Sequence, residues 1–191
     1  MTTNVTIIGA GNMSQAISQV VTAGGNTVEV LGHSDSARPV TGEIVVLAVP
    51  YPALADVVSL RRDELAGKVV VDISNPVDFS TFDSLVVPAD GSATAELAAA
   101  LPDSRVVKAF NTNFAATLAS GSVGAAPTTV QIAGDDEQAK ALLTQAVTAG
   151  GLRAVDAGPL RRARELEALG FLQLTLGVAE KTPWTGGFAL V

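Results

Sequence analysis

A chain of 191 residues, 48% hydrophobic and only 16% charged, is long enough for one α/β domain and apolar enough to bury a large core. Its net charge of −7, with no basic cluster, excludes the footprint of a nucleic-acid binder, and its lack of cysteine and single histidine, His33, exclude disulfides, thiolate nucleophiles and Cys/His metal clusters. No run approaches the roughly 20 apolar residues of a membrane helix, and no basic stretch followed by an apolar run marks a leader, so the expected setting is cytoplasmic, with neither nucleic acid nor membrane as partner.

Strands and helices alternate from the start. Val5–Ile8 reads as a buried strand and Met13–Ala23 as a helix with Ala16, Ile17, Val20 and Val21 at helical spacing. Between them lies Gly9-Ala10-Gly11-Asn12-Met13-Ser14. A glycine turn in that context is a dinucleotide-binding fingerprint. Gly9 permits the tight turn, and Gly11 lets the backbone approach a pyrophosphate. The exposed amides and positive end of the helix then hold the phosphates. Ser14 replaces the third glycine and is small enough to keep helix and strand close. The alternative is a tight turn with no ligand.

Thr27–Leu31 reads as the second strand, followed by Gly32-His33-Ser34-Asp35. The carboxylate that holds ribose hydroxyls in NAD sites belongs about 20 residues past the glycines. None stands at the strand end, so a 2′-phosphate is not repelled there. Ser34 and the backbone are candidates to bond it, and His33 to stack on adenine or touch the phosphate. Arg38 is near enough to help; Asp35 opposes if it points inward. A solvated loop is the alternative for His33. Parallel crossovers normally use about a dozen or more residues containing a helix. The connection over residues 32–43 contains Pro39 and Gly42 and has no apolar period, so its helix is expected to be absent or reduced to a turn.

Ile44–Val49 reads as the third strand, Ala53–Leu65 as a helix with Leu54, Val57, Val58 and Leu65 inward, and Val69–Ile73 as the fourth strand. Ala48, Val49 and Pro50 are candidates to bring backbone to the ribose and nicotinamide, because ligands of open α/β sheets bind beyond the carboxyl ends of strands. Asn75, past the fourth strand, bonds the carboxamide or ribose, or simply makes an Asx-Pro turn. Residues 76–91 read as an ordered excursion or a plain loop. Thr94–Leu101 is a short helix and Arg105–Phe110 the fifth strand, ending in Lys108-Ala109-Phe110-Asn111-Thr112-Asn113. Asn111 is a further cofactor candidate; Lys108 lies at the substrate mouth or is a partly buried strand lysine. Phe114–Leu118 is helical, Thr129–Ala133 the sixth strand, Asp136–Thr148 a helix, Leu152–Val155 the seventh strand and Leu160–Ala179 a long terminal helix. The charges at Arg161, Arg162, Arg164, Glu165 and Glu167 bind an acidic substrate or form a solvated face.

The pattern implies an α/β, Rossmann-type, doubly wound and mostly parallel sheet, with a shortened crossover between the second and third strands. It is expected to form a single NAD(P)-binding domain over residues 1–191, with a helical extension from about 158. The apolar tail from Trp184 to Val191 packs on the chain's own core or makes a homodimer contact.

The glycine turn, Ala48-Val49-Pro50, Lys108-Ala109-Phe110-Asn111-Thr112, Asp156-Ala157-Gly158-Pro159-Leu160 and Ala163-Arg164-Glu165-Leu166-Glu167 occur in one order. That series resembles the coenzyme F420 (deazaflavin)-dependent NADP oxidoreductases, most closely small bacterial dinucleotide-binding oxidoreductases of that superfamily. It is also similar to the oxidoreductase domain of six-transmembrane ferric reductases. The resemblance implies NADP (NADPH) as cofactor and hydride transfer to or from a deazaflavin or flavin. It implies pyrophosphate contacts at Gly9, Gly11, Asn12 and Met13, nicotinamide contacts at Val49 and Pro50, and 2′-phosphate contacts at His33 and Ser34, where the family's arginine is missing. The expected partner is a small-molecule redox substrate. No general acid/base pair stands out, which suits a reaction whose chemistry the cofactors carry. A non-catalytic NADP sensor is the alternative, as is a reductase of a small ketone or imine using Lys108 or Tyr51 as acid.

Overall fold

The computed structural model describes residues 2–191. Strands β1 (Asn4–Ile8), β2 (Thr27–Leu31), β3 (Ile44–Leu47), β4 (Val69–Asp72), β5 (Arg105–Lys108), β8 (Thr129–Gly134) and β9 (Arg153–Gly158) form one sheet in the order β2-β1-β3-β4-β5-β8-β9. The strands are nearly continuous apolar runs because both faces are covered. Alternate residues serve opposite layers: Ile7, Ile44, Val46 and Val71 pack with helices α1 (Asn12–Ala23), α4 (Ala115–Ser120) and α5 (Glu137–Ala149). Val45, Leu47, Val70 and Val106 pack with α2 (Leu54–Leu65) and α3 (Ala93–Ala100). The terminal helix α6 (Ala163–Val178) lies against α3.

The first five strands run parallel in register, so their carboxyl ends share one edge. The last two depart from a wholly parallel reading: β8 runs antiparallel to β5, with β9 parallel to β8. The cause is the connection. Helix α4 has six residues, about 9 Å of rise, and is followed by the small hairpin of β6 (Ser122–Val123) and β7 (Ala126–Pro127). It does not carry the chain back to the opposite edge. Thr129 therefore starts β8 beside the end of β5, where its carbonyl accepts from Asn113 Nδ2 at 3.1 Å.

The shortened crossover is real. Only a single 3-10 turn, His33–Asp35, stands between β2 and β3. What replaces the helix is Arg61, a buried arginine of α2. Its guanidinium donates to the carbonyls of Asp35, Ser36 and Arg38 at 2.8–3.2 Å, while Glu64 accepts from the Val40 amide at 2.6 Å. Arg61→Ala strands those carbonyls. It is expected to cost about 2–3 kcal/mol in denaturant unfolding and to speed tryptic cleavage at the exposed Arg38 several-fold.

Residues 76–91 form an ordered loop: Val77 bridges Leu85, and Phe79 meets Phe82 edge to face at 5.5 Å. The tail folds back on its own chain, with Trp184 edge-to-face on Phe114 at 4.9 Å. Among the described residues no helix is long and apolar enough to cross a membrane.

Candidate functional site

The ends of β1, β2 and β3 are tied together at the carboxyl edge. The Gly9 amide donates to the Leu31 carbonyl at 2.8 Å, and the Ala48 amide to the Ile8 carbonyl at 2.8 Å. This brings Gly9, Gly11, Asn12, Met13, Ala48 and Val49 to the same edge of the sheet, with the His33 turn on its β2 side. The two glycines of the turn serve different ends. Gly9 has φ +115°, and a Cβ there would run into the Ala48 carbonyl. Its need is internal to the fold. A Cβ on Gly11 would meet nothing within 4 Å. No protein atom demands glycine at 11, so the open space suits a ligand.

The helix that starts there is left open in the same way. Helix α3 is capped by Ser92 Oγ, which accepts from the Ala95 amide at 3.0 Å, and α5 by Asp136 Oδ1, which accepts from the Ala139 amide at 2.8 Å. Helix α1 has no side-chain cap and no acidic residue in its first turn. Like those of α2, α4 and α6, its first amides have no side-chain partner and are free to meet an anion. Ser14 is buried, in keeping with a packing role, and its hydroxyl lacks a partner.

On the β2 side, His33 and Ser34 are exposed. Asp35 turns back toward the end of β2: its carboxylate accepts from the Gly32 amide at 2.8 Å, and that bond and then the Arg38 guanidinium hold it below the usual carboxylate range, so a negative charge stands beside the position read for a 2′-phosphate. Arg38 is less free than the sequence suggests, since it bridges Glu29 at 2.6 Å and Asp35 at 3.3 Å. Pro50 is exposed beyond the half-buried Ala48 and Val49, and β3 stops at Leu47.

Asn75 and Asn111 meet each other. Asn75 Nδ2 donates to the Asn111 carbonyl at 3.1 Å; Asn111 Nδ2 donates to Asn75 Oδ1 at 3.0 Å and to the Leu166 carbonyl at 2.8 Å. Gly170 of α6 makes this possible, for any Cβ there would strike both asparagines. What remains unpartnered is Asn111 Oδ1, together with Asn113 Oδ1, both buried. The residues Asn111 and Asn113 border a cavity of about 380 Å³ that also takes in Asn12, Met13, Phe110 and Trp184. Phe110 is held at φ +63° while fully buried. Backbone strain at a bulky residue is a mark of functional sites.

Lys108 is neither at the substrate mouth nor partly buried. It is 0% exposed and donates to Asp72 Oδ2 (2.9 Å), Glu167 Oε1 (2.9 Å) and the Ser74 carbonyl (2.6 Å). Glu167, read as part of a binding or solvated face, is instead buried, and it accepts from the Ala93 and Thr94 amides. The arginines around it lie elsewhere: α6 starts past β9, near the entry of β5, where Leu160 and Arg105 border one surface hollow. Arg161 and Arg162 thus sit at the edge opposite the glycine turn and do not serve its ligand. Tyr51 donates to Glu96 at 2.6 Å, and that bond, with burial, pushes its phenol up to about 12. Neither residue suits an acid catalyst at neutral pH.

Arg61 and Trp184 were not singled out as site residues by the sequence, and Glu167 was read only as one charge of a helix face, though Asp72 and Lys108 carried a signal. They end adjacent strands in register, one acidic and one basic.

The model of the family described as NADP oxidoreductase, coenzyme F420-dependent, matches residues 31–76. The F420-dependent NADP reductase of Methanocaldococcus jannaschii is 28% identical over 93% of this chain and 81% of its own length. The metalloreductase STEAP3 of Rattus norvegicus is 30% identical over 86% of this chain, but over 36% of that protein. A crystal structure from Arthrobacter sp. FB24, of a proposed F420-dependent NADP reductase, superposes with a TM-score of 0.84 at 22% identity, covering 98% of each chain. In fold and along most of its sequence, this chain is therefore similar to the coenzyme F420-dependent NADP oxidoreductases.

Proposed function

We propose that this protein is an NADP-dependent oxidoreductase that passes hydride between nicotinamide and a small flavin-like acceptor, with a deazaflavin as the preferred class, in the cytoplasmic setting read from the sequence. The open space at Gly11, before an uncapped helix, is the observation that carries the cofactor half of the reading. The Asn12, Met13 and Ser14 amides hold the pyrophosphate. His33 and Ser34 attend the 2′-phosphate, and Val49 and Pro50 give their backbone to the nicotinamide side. Nicotinamide supplies the hydride chemistry when bound. What the chain contributes is orientation and exclusion of water in the cavity beside Met13, since hydride transfer between two rings requires an approach of roughly 3–3.5 Å and no protein acid. The committed state of Lys108 and the raised phenol of Tyr51 weigh against a ketone or imine reductase.

Two measurements test this. Incubation with NADPH and, in turn, deazaflavin, flavin and ferric complexes should give loss of nicotinamide absorbance with the deazaflavin. Stoichiometric NADPH binding with no acceptor turned over would instead make the protein a sensor. For the cofactor, NADPH is expected to bind about tenfold tighter than NADH, ~1.4 kcal/mol. His33→Ala with Ser34→Ala should narrow that gap. Equal affinities in the parent would remove the role given to these two residues.

A further inference from the structure

The proposed function leaves open what receives the second ring. The cavity beside Met13 is built by two parts of the chain that the dinucleotide fold alone does not join. One is the β5 end, with Phe110, Asn111 and Asn113; the other is the C-terminal tail, which contributes Trp184. The tail is seated on purpose-shaped ground. Gly177 lets the indole lie on the α6 backbone, where a Cβ would come within 3.3 Å of the ring. Phe114 meets it edge to face at 4.9 Å. Gln173 fastens the segment, donating to the Thr112 carbonyl at 3.0 Å and accepting from the Phe188 amide at 2.9 Å. Even so, the tryptophan is left 50% exposed. A large amphipathic ring fixed in place yet half open is suited to stacking.

The polar lining says what kind of ring. Asn111 Oδ1 and Asn113 Oδ1 are buried acceptors without donors. Buried carbonyl oxygens are normally paired, so both ask for N–H groups from a guest. Nothing else in the lining offers a charge. A neutral planar heterocycle with an imide or amide N–H on its rim satisfies both demands; a metal chelate satisfies neither.

The geometry points to Trp184 as a specificity-determining residue: the C-terminal tail supplies the stacking wall for a planar, N–H-bearing acceptor ring, with Asn111 and Asn113 reading its edge. This rests on the oxidoreductase reading above, and the experiment separates the two. Trp184 is the chain's only tryptophan, so intrinsic fluorescence reports on this wall alone. Protein saturated with NADP+ is titrated with a deazaflavin and with riboflavin, and ring affinity is measured in parallel by calorimetry. Saturable quenching is expected at the calorimetric affinity. Trp184→Ala should weaken ring binding at least tenfold while NADPH affinity stays within twofold, and Trp184→Phe should recover most of the loss. Ring binding without quenching, or undiminished in Trp184→Ala, overturns the assignment. So does an equal loss of NADPH affinity, which would give the indole to the nicotinamide side. If the parent fails to bind NADPH, the oxidoreductase reading falls, and the ring titration on free protein still decides the role of Trp184. Circular dichroism melting of both variants identifies any loss that comes from unfolding.

Discussion

Gly11→Val is expected to leave the fold intact and to weaken NADPH binding about a hundredfold or more, ~2.7 kcal/mol. The space that a side chain would enter at this position is free of protein atoms, so the substitution meets no resistance within the chain. Its φ of −80° is open to any residue. The obstruction falls on whatever approaches the amides of the first turn of α1. Gly9→Val should do the reverse. A side chain there collides with the Ala48 carbonyl at a φ that only glycine adopts readily. Backbone strain and overpacking together cost about 3–5 kcal/mol, and the melting temperature falls before any ligand is added. Thermal melts and NADPH fluorescence titrations of the two variants side by side test the division of labour. Retained binding in a folded Gly11→Val protein would end the phosphate-turn assignment.

Lys108→Met is expected to cost about 3–5 kcal/mol, because it leaves Asp72 and Glu167 buried together without a cation. Adding Glu167→Gln should recover part of that loss, since one of the two stranded charges disappears. The pH dependence separates this from simple loss of packing. In the parent, burial pushes the Asp72 carboxyl up, but the Lys108 charge, the Ser74 amide and the Thr94 hydroxyl outweigh it and hold the group below its usual 3.8. A depressed carboxyl stabilises the folded state fully above its unfolded pKa, and that contribution fades as the pH drops below about 3.8. Without Lys108 only the Ser74 amide and the Thr94 hydroxyl oppose the burial, the folded pKa rises, and the penalty is greatest at neutral pH. The deficit of Lys108→Met should therefore shrink on acidification from about pH 7 to pH 4. Urea unfolding across that range is the measurement. A deficit independent of pH would mean that the lysine acts through its methylenes alone.

The parts of this molecule legible in the sequence are those set by local rules. Thr27–Leu31 is a strand between turn signals, and the glycine turn lies between an apolar run and a helical stripe, so neither depends on distant partners. The missing crossover helix was equally readable, since Pro39 and Gly42 forbid it. Long-range pairing was less visible. The reversal of β8 depends on how far a six-residue helix can carry the chain, and the helix assigned to Phe114–Leu118 gave no warning of the hairpin after it. Glu167 lies among charged neighbours at helical spacing, and only the approach of α6 to Lys108 reveals that it faces inward. Asn75 and Asn111 were candidates by position, yet they spend hydrogen bonds on each other, and Asn111 Oδ1 is left without a partner.

The clamp that replaces the second crossover helix grips by carbonyl oxygens. Arg61 holds residues 35, 36 and 38 through hydrogen bonds to their backbone carbonyls. Anchorage and recognition are thus written in different atoms of the same loop. The side chains at 33 and 34 can change while the backbone that presents them stays fastened. On the proposed role of His33 and Ser34, preference for one dinucleotide over another becomes an interchangeable part, open to revision by a few surface substitutions.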